Sequence, residues 1–368
     1  MPKKDFSTHS LEVLTTEQAL ADVAAFVSFF RTEYNLTAEN KIVTFGGSYP
    51  GMMAAWSRLF YPELIHASIA SSAPVEAQLD YTGYLNTVAA SMANTGVGGS
   101  PMCAEILKSG YAEVGEMLLD PSSQATLEAD FNVCPGSLEN KDNWVVFTET
   151  LGGLLPVQEN DPACTTPVCN IDAVCKVATQ ELAHDSTPYA AIVQIYNQAG
   201  GAGGTCLNVS NAAQNAMLAD PNPPRGSGQA LDRAWTYLCC TMYAFWQTCE
   251  PNSQCLSVST PFVNNIASYQ QGCTAAYGIS PQATAAAVKK TNAWSGGATN
   301  PKGSRVLWAN GGIDPWHVLS VLSPVNGMPT VFDPLSSHHF WTHVPLSTDA
   351  PGIVKIRAQI AQQLEQWL

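Results

Sequence analysis

Eleven cysteines, all between Cys103 and Cys273, constrain this chain more than any other feature. Residues 1–78 hold none, and neither does the stretch from about 285 to the end. Thiols gathered this densely read as disulfides made in an oxidising compartment. An odd number leaves at least one thiol unpaired within the chain. A zinc site built on Cys164, Cys169 and Cys175 is the metal alternative, but those residues lack a paired C-x-x-C or a partnering histidine. Two glycosylation sequons, Asn35-Leu36-Thr37 and Asn208-Val209-Ser210, agree with secretion. The opening residues, Met1-Pro2-Lys3-Lys4-Asp5, show no apolar run of the kind a signal peptide needs.

The cysteine map divides the chain into outer parts, 1–78 and 286–368, and an inserted block, 79–285. At 368 residues, with 46% hydrophobic and 12% charged residues, the chain can bury a sizeable core and carry a large insertion. A formal net charge of −14 excludes nucleic acid as a partner, since phosphate binding needs concentrated lysine and arginine. No stretch is long and apolar enough to span a bilayer, so no membrane partner is expected.

The outer parts read as α/β. Thr15 and Gln18 form a capping box, and Ala19, Val23, Phe26, Val27 and Phe30 recur at helical spacing behind it. Ile42-Val43-Thr44-Phe45 is a short β-branched run suited to a buried parallel strand. Met52–Leu59 reads as a helix. Ala67–Ala70, Arg305–Ala309 and Thr330–Phe332 read as further strands. Ile356, Ile360, Leu364 and Leu368 predict a final helix packed on the sheet. The alternation implies a parallel sheet. The middle block reads as helical, with candidates at 172–183, 189–198 and 233–248. A helical domain with a modest core is one that disulfides would hold.

Between the first strand and its helix lies Phe45-Gly46-Gly47-Ser48-Tyr49-Pro50-Gly51. A strand, a tight small-residue turn and a helix make a nucleophile elbow, which lifts a serine hydroxyl above the sheet edge. The following helix points its positive end at that hydroxyl, and the Tyr49 backbone N–H is placed as an oxyanion donor. The strict G-x-S-x-G pattern is broken, because Pro50 stands where its last glycine belongs. In this architecture the acid and then the histidine follow in the chain. Asp314, in the Gly-rich turn after Arg305–Ala309, is the candidate acid, with Asp333 as competitor. The base belongs to Ser336-Ser337-His338-His339, and position alone does not choose between the two histidines. His317 and His343 read as structural or exposed.

These residues resemble a known family of serine peptidases, the one that includes prolyl carboxypeptidase, dipeptidyl peptidase II and thymus-specific serine protease. The matching pieces are Glu17–Asp22, Gly46–Gly51 with Ala54-Ala55-Trp56, Ser71-Ser72-Ala73-Pro74-Val75 and Trp235–Thr241. Cys273 with Tyr277-Gly278, Asn310–Trp316 and His338-His339 complete the series. The resemblance implies Ser48 as nucleophile, Asp314 as acid and His338 as base. It implies an α/β-hydrolase core, truncated at its N-terminus, with an inserted disulfide-rich helical cap. It also implies an exopeptidase acting next to proline, lysosomal or secreted. Peptides containing proline are the expected partners, a homodimer is admitted, and no metal or organic cofactor is expected. Three departures stand out: Met242 where many members carry glutamate, Phe340-Trp341-Thr342 in place of Leu-Asp-Leu, and a start just after the family's first strands. The elbow by itself also admits an esterase or lipase, or an inactive family member.

Overall fold

The computed structural model describes residues 3–182, 186–201, 203–258 and 260–368. Met1, Pro2 and Ala183, named above, lie outside them. The chain gathers into two compact units: Met1–Leu79, Asp220–Phe245 and Ile279–Leu368 in the first, Asp80–Ala219 and Trp246–Gly278 in the second. Residues 220–245, which fall in the middle block of the cysteine map, thus belong to the first unit by their contacts.

The first unit is mixed α/β around a four-stranded parallel sheet. Helix α1, Thr16–Glu33, starts where expected, because the Thr15 hydroxyl accepts from the Gln18 N–H at 3.1 Å. Its buried stripe is Thr16, Leu20, Ala24 and Val27; of the set predicted from spacing only Val27 is fully buried, and Phe26 faces outward. Strand β1, Val43–Gly47, runs into the turn at Ser48 and then into helix α2, Tyr49–Phe60. Strand β2, Ala67–Ser71, and strand β3, Val306–Gly311, are buried along their whole length, as parallel strands covered on both faces must be. Strand β4, Thr330–Asp333, closes the other edge.

The sheet order is β1-β2-β3-β4. Gly47 pairs with Ser71, Ser71 with Ala309 and Gly311 with Asp333, so all four carboxyl ends lie at one edge. Helix α3, Pro351–Trp367, covers this sheet: Ile353 and Ile356 join Ile69, Leu307, Ala309, Val331 and Trp341 in one apolar cluster. Ile360 and Leu364 pack against it in part, but Leu368, expected in the same stripe, is exposed at the chain end. Each fully buried aliphatic side chain of this cluster contributes about 2 kcal/mol. Arg58 near the end of α2 is buried, and its guanidinium donates to the Pro62, Ile65 and Ser304 carbonyls. That fan of bonds ties the helix end to the loops entering β2 and β3.

The helix expected over 233–248 divides. An α-helix covers Gly228–Leu238, a π-helical turn Cys239–Tyr243, and a short strand Ala244–Trp246. Ala244 and Phe245 adopt φ of 56° and 60°, which no helix accepts.

The second unit is helical. Its longest helix, Pro101–Leu119, packs on Pro188–Gln198, which in turn packs on Ile171–Leu182. The approach is close at Gly110, where a Cβ would lie 2.5 Å from the Pro188 carbonyl oxygen. Disulfides Cys103–Cys175, Cys134–Cys206, Cys164–Cys169 and Cys249–Cys255 lie wholly within it. The sulfurs of the zinc alternative are therefore already in disulfides. Cys240 and Cys273 are also disulfide-bonded, and Cys239 is the free thiol.

Candidate active site

The elbow forms because its neighbours leave no room for side chains. A Cβ at Gly46 would lie 2.0 Å from the Pro50 carbonyl oxygen, and one at Gly51 would lie 2.7 Å from that of Ser71. Ser48 itself takes φ 62° and ψ −131°, a strained conformation for a residue with a side chain. Its N–H donates to the Ser71 carbonyl at 3.0 Å, and its carbonyl accepts from Gly51 and Met52 as α2 begins. The hydroxyl does not cap the helix and makes no hydrogen bond among the described residues. The neighbouring Tyr49 N–H, first in the helix, has no acceptor among them either, as helix geometry dictates.

The Tyr49 side chain is engaged by its neighbours. Its hydroxyl lies 3.4 Å from Thr16 Oγ1, and its ring meets Trp235 and Tyr243 edge-on. Burial raises the pKa of both tyrosines, Tyr243 most strongly. Met242 is buried, and its sulfur accepts from the Thr16 N–H at 3.5 Å, so this side chain serves the start of α1. Phe245 and Trp316 meet edge to face at 5.4 Å, and Trp316 lies 6.4 Å from the His338 ring.

Past β3, Asp314 is fully buried. Its Oδ1 accepts from the Trp316 N–H at 2.9 Å and pairs with His338 Nδ1 at 2.9 Å. Oδ2 is buried with no donor among the described residues. His338 is 2% exposed. With Nδ1–H donating to Asp314, the imidazole keeps Nε2 as a proton acceptor. Asp333 is engaged elsewhere, accepting from the Ser336 hydroxyl at 2.7 Å in the turn that ends β4. His339 packs beside His338 with ring centres 4.4 Å apart, and its Nδ1 lies 3.1 Å from Thr342 Oγ1. His317 Nδ1 lies 2.6 Å from the Asp314 carbonyl oxygen.

The structure thus brings Asp314 and His338 into direct contact, while Ser48 is not hydrogen-bonded to either imidazole. Hydrogen bonds of this kind are often long without substrate and tighten on binding. No group of metal-ligating side chains is present among the described residues.

The sequence matches the family serine carboxypeptidase S28 over residues 1–360. The chain belongs to this family of serine peptidases. It is 33% identical to thymus-specific serine protease of Mus musculus over all of its own length and 72% of that protein, and equally identical to the Homo sapiens protein over 71%. It is 23% identical to lysosomal Pro-X carboxypeptidase of Bos taurus, over 97% of this chain and 69% of that one. S28 members are hydrolases, and the resemblance drawn from the motifs holds across the whole chain.

What the motifs did not single out are the contacts of Ser71, Ser72 and Trp341. The Trp341 indole N–H donates to Ser71 Oγ at 2.9 Å, and the His339 N–H donates to Ser72 Oγ at 2.9 Å. Serines are common at strand ends, and no local pattern announces a partner so distant in the chain.

Proposed function

We propose that this S28 chain is an exopeptidase that cleaves peptides next to proline, with Ser48 as nucleophile, His338 as base and Asp314 as acid. The observation that carries the reading is the buried Asp314–His338 pair at the sheet edge where Ser48 stands in its strained turn. Ser48 Oγ attacks the scissile carbonyl and His338 Nε2 takes its proton. Asp314 keeps the imidazole in the Nδ1–H form and stabilises the imidazolium. The oxyanion is met by the Tyr49 N–H and the positive end of α2. His338 then returns the proton to the leaving amine, and water attacks the acyl-enzyme by the same route. No step requires a metal or organic cofactor.

The aromatic rings of Trp316, close to His338, and of Phe245, which packs on Trp316, suit the apolar ring of proline. The bovine relative's name supplies the proline preference and the lysosome. A lysosomal or secreted location also accords with the disulfides and with the absence, among the described residues, of a helix able to cross a membrane. Asn35 and Asn208, both exposed, are then open to glycosylation.

The test is reaction with a fluorophosphonate and turnover of proline-containing chromogenic peptides. Wild type should be labelled at Ser48, and Ser48→Ala should lose labelling and about a millionfold in kcat with its melting temperature kept. A wild-type chain that is folded yet neither labelled nor active on peptides would sink the reading.

A further inference from the structure

The proposed base has a long way to come. His338 follows β4, and β2 and β3 stand between that strand and β1, which delivers Ser48. At the usual strand spacing the loop must reach back across roughly 14 Å. The contacts that carry it are laid out strand by strand. At β3 the Ile313 N–H donates to the Ser336 carbonyl at 3.1 Å, and Asp314 pairs with His338. At β2 Ser72 Oγ accepts from the His339 N–H, and Ser71 Oγ accepts from the Trp341 indole. At β1 the His339 ring covers Gly47, where a Cβ would lie 2.7 Å from His339 Cγ.

The β2 step is unusual in its backbone. Ser72 has φ 47° and His339 φ 38°, and one hydrogen bond joins these two non-glycine residues of left-handed conformation. Both are rarely populated states that the surroundings must impose. Ser72 is fully buried, its N–H donates to the Ala309 carbonyl at 2.7 Å, and its neighbour Ser71 receives the Ser48 N–H. The end of β2 therefore touches the elbow, β3 and the base-bearing loop together.

We propose that Ser72, assisted by Ser71 and Trp341, is a positioning residue: its hydroxyl holds the His338 loop in register over the elbow. The proposal rests on the triad reading given above.

Ser72→Gly separates a positioning role from a structural one. Glycine adopts the positive φ without strain, so the fold is kept while the acceptor is removed. In the full chain, kcat on a proline peptide should fall on the order of ten- to a hundredfold, as expected for a small misplacement of a catalytic group. KM should stay within about twofold, since the lost contact is not with substrate. Trp341→Phe, which deletes the indole N–H together with part of a ring packed in the apolar cluster, should lower kcat in the same sense, and it serves as the test, with kcat taken per folded protein, should Ser72→Gly not fold. The rate of fluorophosphonate labelling should fall in parallel with kcat in each variant. Unchanged kcat in folded variants overturns the proposal, as does a kcat loss equal to the loss of folded protein measured by circular dichroism. Wild type labelled at Ser48 in the same experiment keeps the triad reading standing in either case; unlabelled wild type fails that reading instead.

Discussion

The sheet strands of the first unit carry no cysteine, and the central pair, β2 and β3, rely on burial on both faces, whereas the second unit is helical and holds four internal disulfides, of which Cys103–Cys175 joins two helices and the others tie loop residues. The difference lies in how each unit is held. A parallel sheet under helices shields long apolar runs such as Val306–Ala309. The second unit buries apolar side chains of its own, among them Leu107, Phe131 and Ile192, and its cross-links add to that core by restricting the unfolded chain. The lesson is that cysteine spacing reports which part of a chain is cross-linked, not where a core is thin.

Three experiments can break this contrast or sharpen it. The largest effect belongs to the second unit. Replacing Cys103 and Cys175 by serine opens a cross-link with a sequence separation of 72. It should destabilise the unit by about 4 kcal/mol. Hydrogen exchange should show faster exchange in Pro101–Leu119 and Ile171–Leu182 and unchanged protection in β2 and β3. Equal loss in the sheet would end the contrast.

In the first unit the corresponding device is polar. Arg58→Ala leaves the Pro62, Ile65 and Ser304 carbonyls without their donor. The loss should be about 3 kcal/mol, read as a lower denaturation midpoint with β2 and β3 exchanging first. A neutral outcome would show that the sheet needs no such tie.

The smallest effect is the free thiol of the first unit. Burial pushes Cys239 from its ordinary value of 9.0 up to about 12. Below pH 9 both folded and unfolded forms keep the proton. Between pH 9 and 12 the unfolded chain releases it while the native state holds it, so stability falls as pH rises through that window. At pH 10 the loss should be about 1 kcal/mol, absent in Cys239→Ala, with alkylation of the native thiol slow throughout. A wild type and variant with the same pH slope would contradict the burial argument.

Much of this was legible in the residues. Each sheet strand is a short run with an apolar core, ended by glycine or serine in β1 to β3 and by Asp333-Pro334 in β4, so the four strands and the loops after them could be placed in order. The elbow glycines were readable because sterics leave no choice there. Other features were not. In α1 apolar residues stand on adjacent faces, so spacing alone could not tell that Leu20 and Ala24 turn inward while Phe26 turns out. The break after Leu238 depends on left-handed backbone at Ala244 and Phe245, which neither residue type signals. The hydroxyls of Ser71 and Ser72 find partners 270 and 267 residues away, a distance over which local pattern carries no information.

Ser48, Ser72 and His339 share one more consequence. Each is a non-glycine residue twisted to positive φ at the same rim of the sheet, and each would relax if its neighbours loosened. On warming, this rim should unwind at a temperature where the strands beneath still hold. Heat should therefore silence the chemistry before it melts the molecule, and cooling from that intermediate point should bring both back together.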